Sequence, residues 1–212
     1  MHDDVAIIVV AGGGGTRFGG AKQFAAIGDS TVLDLSVATA MLVSGNVVAV
    51  VPADADWQPP VGCRRVDGGV TRSASTRCGL ATISPDTAIV VVHDGARPLC
   101  SVDLYEAVIA AVRDGADAAI PALAVSDTVK RVEGTRVVET VARDELVTVQ
   151  TPQAFRASVL RRAHEVQDDD TDDAGSVERD GGVVVVVNGD PRNIKITVRD
   201  DLAIAHSLLG AS

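Results

Sequence analysis

The sequence predicts an α/β protein: a three-layer α/β/α arrangement around a mainly parallel, Rossmann-like sheet, with a β-hairpin arm projecting from it. Three observations lead there. Apolar, β-branched runs of strand length recur along the chain, helix-length stretches separate them, and one polar but β-rich segment fits neither pattern. At 212 residues the chain has the size of a single domain, 1–212, and can bury a core without disulfides.

The strand-like runs are Val5 to Val10, Val47 to Val51, Ala88 to Val92, Ala118 to Ala122 and Val183 to Val187. They are continuous rather than alternating, the pattern of strands buried on both faces. Between them lie helix-like stretches at Thr31 to Val43, Ser73 to Thr82, Ser101 to Arg113, Phe155 to Val166 and Val198 to Leu209. In the third, Val102, Tyr105, Val108, Ile109 and Val112 share one face and Gly115 closes the helix. Thr197 and Asp200 have capping-box spacing ahead of the last. Strands alternating with helices make βαβ units, whose sheets bind ligands at the carboxyl ends of their strands.

The exception is SDTVKRVEGTRVVETVARDELV, within 125–149. It mixes β-branched residues with Lys130, Arg131, Arg136 and Arg143, and Glu133-Gly134 makes a plausible hairpin turn. The segment is too polar for core strands and too β-rich for a helix. A projecting arm is rarely stable alone, so a partner is expected, most simply a second copy of the chain.

Composition removes several classes of function. A net charge of −10 with one Trp, one Tyr and three Phe offers neither the electrostatic footprint nor the stacking platforms of a nucleic-acid binder. Three cysteines without a CxxC pair argue against a disulfide framework or a zinc site and for a reducing cytoplasm. Asp3 and Asp4 stand where a signal peptide carries positive charge, and the apolar run that follows is too short to span a bilayer.

Against that acidic background, clustered basic residues stand out. VVAGGGGTRFGGAKQF, Val9 to Phe24, places a glycine-rich turn after a strand, followed by Arg17 and Lys22. Dinucleotide-loop spacing fails in every register, and the P-loop pattern fails because Gln23 follows Lys22. What remains is a backbone anion cradle under two cations, a fit for a triphosphate, or else a plain turn with solvated bases. Downstream, DGGVTRSAST brings Arg72 and Ser75, HDGARP brings Asp94 and Arg97 at a strand's carboxyl end, and GDPRNIKIT brings Lys195.

In these motifs, and in SDTVKR, TPQAF and TDDAGSVE in the same order, the chain resembles the 2-C-methyl-D-erythritol 4-phosphate cytidylyltransferases of the non-mevalonate isoprenoid pathway. These are nucleotidyltransferases of glycosyltransferase-A-like fold. The resemblance implies attack of methylerythritol phosphate on the α-phosphorus of CTP, with Mg²⁺ carried mainly by the CTP phosphates. It implies that Arg17, Lys22 and Lys195 stabilise the developing charge, and that the backbone of Ala11, Gly12, Gly13 and Gly69, with the Ser75 hydroxyl, reads the cytosine. Asp94, Arg97 and Thr171 would hold the acceptor, with Thr128 and Arg143 reaching over from the partner's arm in a homodimer.

Plainer readings stand beside these. His93 reads as a packed, hydrogen-bonded histidine rather than a metal ligand, and Cys100 as a small packing residue. The acidic run Asp168 to Asp173 reads as a solvated loop in which Thr171 and Asp172 face substrate. Thr151 suits either loop shaping or substrate contact. Two other functions remain open: the same chemistry on another polyol phosphate such as ribitol 5-phosphate, and nucleotide binding without catalysis. A nicotinamide-linked oxidoreductase is disfavoured by the failed glycine spacing.

Overall fold

The continuous β-branched runs become the centre of one eight-stranded sheet, in a computed structural model that describes residues 1–13, 18–165 and 172–210. In chain order the elements begin with β1 (Val5–Val10), the short β2 (Ala26–Ile27) and β3 (Ser30–Thr31), α1 (Val32–Val43), β4 (Val47–Val51), β5 (Cys63–Asp67) and α2 (Arg72–Leu80). Next come β6 (Ile89–Asp94), α3 (Val102–Arg113), β7 (Ala118–Ala124), β8 (Val129–Glu133), β9 (Arg136–Val141) and β10 (Val147–Val149). The chain continues through β11 (Gln153–Arg156), α4 (Ala157–Ala163), α5 (Asp173–Arg179), β12 (Val184–Asn188) and α6 (Arg199–Gly210). The sheet runs β10-β7-β11-β6-β1-β4-β5, with β12 parallel to β7 on the edge that β10 also joins.

Strand pleating sorts the core into two layers. Val5, Ile7 and Val9 face α1 and α3, packing with Leu33, Val37, Tyr105 and Val108. Ala6, Ile8 and Val10 face the other way, onto Leu80, Leu160 and Val177 of α2, α4 and α5. This is the expected three-layer arrangement with a mostly parallel sheet.

Apart from α4, whose start has no side-chain cap, the helix starts are set by short polar side chains. Thr31 and Asp34 form a capping box at α1, and Asp34 Oδ1 also accepts from Trp57 Nε1 at 2.9 Å. Thr71 and Ser101 cap α2 and α3 through their hydroxyls. At α6 the structure corrects the expected residue: Asp201, not Asp200, accepts the N–H groups of Thr197 and Val198, at 2.7 and 2.8 Å.

Three other expectations change. Cys63–Asp67 is a parallel edge strand that the sequence, with Arg64 and Arg65 in the run, did not advertise. Phe155 does not start a helix; it lies in β11, which runs antiparallel between β6 and β7 before α4 begins at Ala157. The acidic stretch is not all loop, since Asp172 caps α5 by accepting from Gly175 N at 3.0 Å.

The arm forms as a separate two-stranded sheet, β8 with β9, turning at Gly134 with φ +58° and bulging between Arg131 and Val132. Its return leg differs from the expectation of a wholly projecting segment: β10 pairs with β7, so 147–149 belongs to the main sheet.

Phe155 is fully buried at the centre of the second core layer. Phe155→Ala should cost about 3–5 kcal/mol of unfolding free energy, read from the shift in urea midpoint at unchanged slope.

Candidate functional site

The carboxyl ends of β1 and β6, with the loop after β5, open onto a cleft of about 200 Å³. Its floor is the start of the glycine-rich segment, Ala11 to Gly13, and its walls include Lys22, Ser75, Asp94 and Lys195. A second cleft of about 400 Å³ adjoins it, with Arg97, Gln150, Thr151, Gln153 and Asp172 around it. Arg72, Asp94 and Lys195 border both.

The first cleft is shaped by close backbone approaches. A Cβ on Gly69 would stand 2.5 Å from Ala74 Cβ, so only glycine lets the loop after β5 fold onto α2. The Gly69 N–H donates to Ser75 Oγ at 3.1 Å, and that hydroxyl donates to Thr71 O at 2.9 Å. Ser75 therefore fastens its own loop while lining the cleft; Gly69 stands behind that lining. On the opposite side Gln23, only 2% exposed, donates Nε2 to Ala11 O at 2.8 Å and to Gly13 O at 3.4 Å. Sequence reading passed over this glutamine, whose signal was its place directly after Lys22.

At the junction of the clefts three cations surround one carboxylate. Asp94 Oδ2 receives Lys195 Nζ at 2.7 Å, Oδ1 receives Arg72 Nε at 3.2 Å, and Arg97 Nε stands 3.9 Å from Oδ2. Burial alone would raise the Asp94 carboxyl, but Arg72, Lys195 and Arg97 outweigh it and hold the group well below the usual carboxylate range. Arg72 reaches further, donating Nη1 to Asp173 Oδ2 at 2.6 Å, and His164 Nε2 lies 3.1 Å from the other oxygen of Asp173. Asp173 is fully buried, which corrects its expected place in a solvated run.

The strand ends are tied together beneath this cluster. Arg97 Nη1 donates to Asn193 O at 2.7 Å, and Ile196 N to Ala96 O at 2.8 Å, which sets Lys195 against the HDGARP turn. Thr151 Oγ1 accepts from Asp94 N at 3.0 Å and lies 3.3 Å from His93 Nδ1, while His93 Nε2 meets Arg97 O at 3.3 Å. His93 is thus the packed, bonded histidine the sequence indicated, and Thr151 shapes the turn while bordering the second cleft. Cys100 packs in the core, and burial pushes its thiol up.

Of the residues singled out in the sequence, Ala11, Gly12, Gly13, Lys22, Ser75, Asp94, Arg97 and Lys195 converge on the two clefts. Thr128 and Arg143 do not: both are exposed on the arm, where Arg143 Nη1 donates to Ser126 O and ties the two legs. Arg17 and Thr171 lie outside the described residues, as do Asp168, Asp169 and Asp170.

Among the described residues no group of three or more His, Cys, Asp or Glu is placed to hold a metal ion, and no helix is long and apolar enough to cross a membrane.

A family model for IspD, 2-C-methyl-D-erythritol 4-phosphate cytidylyltransferase, matches residues 5–211. The bifunctional enzyme IspD/IspF of Dinoroseobacter shibae is 41% identical over 99% of this chain, which spans 54% of that protein. The 2-C-methyl-D-erythritol 4-phosphate cytidylyltransferase of Rubrobacter xylanophilus is 38% identical, covering 96% of this chain and 94% of its own. The crystal structure of the enzyme of that name from Thermus thermophilus superposes with a TM-score of 0.85 at 33% identity, over 96% of this chain and 98% of that one.

Burial pushes His93 down to about 4 from 6.5, against the pull of Asp94 and the hydrogen bond to Arg97 O, with the Arg97 and Arg72 charges adding to the fall. Because the unfolded state takes up the proton first, His93 supports stability above pH 6.5 and loses that support as pH falls towards about 4. The protein should lose roughly 3 kcal/mol across that window, and His93→Asn should flatten this acid limb, measured by urea unfolding over a pH series.

Proposed function

Because the chain belongs to the 2-C-methyl-D-erythritol 4-phosphate cytidylyltransferase family, we propose that it transfers the cytidylyl group of CTP to 2-C-methyl-D-erythritol 4-phosphate and releases pyrophosphate. The observation that carries this reading is the shared wall. Two clefts that meet at Arg72, Asp94 and Lys195 can hold a nucleotide and an acceptor with their phosphates side by side.

The chemistry asks for cations and alignment rather than for a protein nucleophile. The acceptor phosphate attacks the α-phosphorus in line, so charge spreads over the equatorial and leaving oxygens. Lys195 keeps one donor on Asp94 and has two more to offer phosphate oxygens. Lys22 stands on the far wall of the nucleotide cleft, and Arg17, from the same glycine-rich stretch, completes the set. The backbone of Ala11 to Gly13, with the loop that Gly69 and Ser75 shape, makes a small-residue pocket for the pyrimidine. Mg²⁺ carried by the CTP phosphates would neutralise charge there.

Asp94 and Arg97 hold the acceptor's hydroxyl and phosphate groups together with Thr171. Thr128 and Arg143, exposed and remote from their own chain's clefts, reach the partner's acceptor in a homodimer. That arrangement gives a partner to an arm that shows Val132, Val137 and Val138 to solvent. We place the enzyme in the cytoplasm, where the free cysteines Cys63, Cys78 and Cys100 stay reduced.

Pyrophosphate release with CTP should be far faster with methylerythritol phosphate than with ribitol 5-phosphate; the reverse preference would overturn the acceptor, and no release with either would overturn catalysis. Lys22→Ala and Lys195→Ala should each lower kcat about 100- to 1000-fold. Co-expressed Lys195→Ala and Arg143→Ala chains should recover roughly a quarter of wild-type activity, since the mixed dimer rebuilds one intact site out of two. Activity no higher than that of either variant alone would rule out an arm acting in trans.

A further inference from the structure

We propose that Gln153 selects the acceptor: its carboxamide oxygen accepts a hydrogen bond from a hydroxyl of the polyol. The inference rests on the cytidylyltransferase reading above and adds a group to it.

The register of β11 pairs Gln153 with Val92, two residues before Asp94 on the same pleat face of β6. Gln153 is only 1% exposed, yet it borders the second cleft. Its Nε2 donates to Asp172 Oδ2 at 2.9 Å and points to Gln150 O at 3.5 Å. Asp172 is itself held, because its other oxygen caps α5 through Gly175 N. Turning the amide over would set Oε1 against the Asp172 carboxylate, so these contacts fix which end is which.

Among the described residues, the buried Oε1 has no hydrogen-bond partner. A buried unpaired acceptor costs on the order of 1–3 kcal/mol, so the cleft is built for a ligand that brings a donor. The other unpaired buried atoms of residues bordering this cleft are donors, Arg72 Nη2 and Arg97 Nε. A fully ionised phosphate answers the two arginines but has no proton for Gln153. A polyol phosphate answers both, with its phosphate towards the arginines and a hydroxyl towards the amide. Gln153 would thus favour an acceptor that carries a hydroxyl beside its phosphate.

The test is steady-state pyrophosphate release by wild type and Gln153→Met, with methylerythritol phosphate and with analogues lacking each hydroxyl in turn. We expect Gln153→Met to raise the acceptor KM roughly ten- to hundredfold while leaving the CTP KM unchanged. One deoxy analogue should suffer the same loss with wild type and no further loss with the variant. An unchanged acceptor KM, a parallel rise in the CTP KM, or equal losses with every analogue would overturn the role. Asp172→Asn, which keeps the cap but frees the Gln153 amide to turn, should weaken the acceptor with the same dependence on that hydroxyl; a loss indifferent to it would count against the proposal. Wild-type turnover of methylerythritol phosphate tests the underlying function separately, so the two readings fail in different ways.

Discussion

A single carboxylate organises the site. Asp94 ends β6, the strand between β1 and β11, and there it gathers Arg72 from the start of α2, Arg97 from the following turn, and Lys195 from the far end of the chain. Like-charged groups repel at such distances, and three cations would not stay together on a strand rim without an anion between them. Asp94 supplies it, and its own charge is secured because the cations outweigh its burial. A cationic junction can therefore persist in a chain whose net charge is −10, and local field rather than net charge decides what binds there.

The supports of this carboxylate come from both faces of the sheet. On one face Arg72 is clamped between Asp94 and the buried Asp173, with His164 behind it. On the other, Thr151 and His93 hold the β6 backbone and the Arg97 turn in place. A guanidinium held by two carboxylates cannot swing with the ligand, and electrostatic catalysis depends on groups that need not reorganise. Removing one member of a buried ionic set leaves the others uncompensated, so the pairs around Asp94 behave as a unit.

How much of this could be read from the sequence follows from what patterning records. β1 and β4 were legible to the residue because fully buried parallel strands are continuous β-branched runs. β5 was not: CRRVD looks polar, and only its edge position explains it, with Arg64 donating to Thr82 O and Arg65 to Trp57 O beyond the sheet. β11 is four residues long and reverses direction, and neither fact leaves a period to detect. The cations that border the clefts were visible as basic residues near glycine turns and strand ends. Gln23, Gln153 and Asp173 were not, since each is buried by a partner distant in sequence, and no local pattern announces such a pairing.

The two strands that carry the arm also have a meaning for how such a protein changes over time. Ala124 and Val147, the residues where the arm leaves and rejoins the sheet, are direct cross-strand partners. The excursion between them closes on itself like a drawstring, and its length enters neither the register of β7 nor the core layers. Loop closure depends only weakly on length, so insertions, deletions and recoding of β8 and β9 are nearly free to the fold. Folding of the body thus does not depend on the length of this appendage, and the residues of the arm answer to the surface it meets rather than to the core.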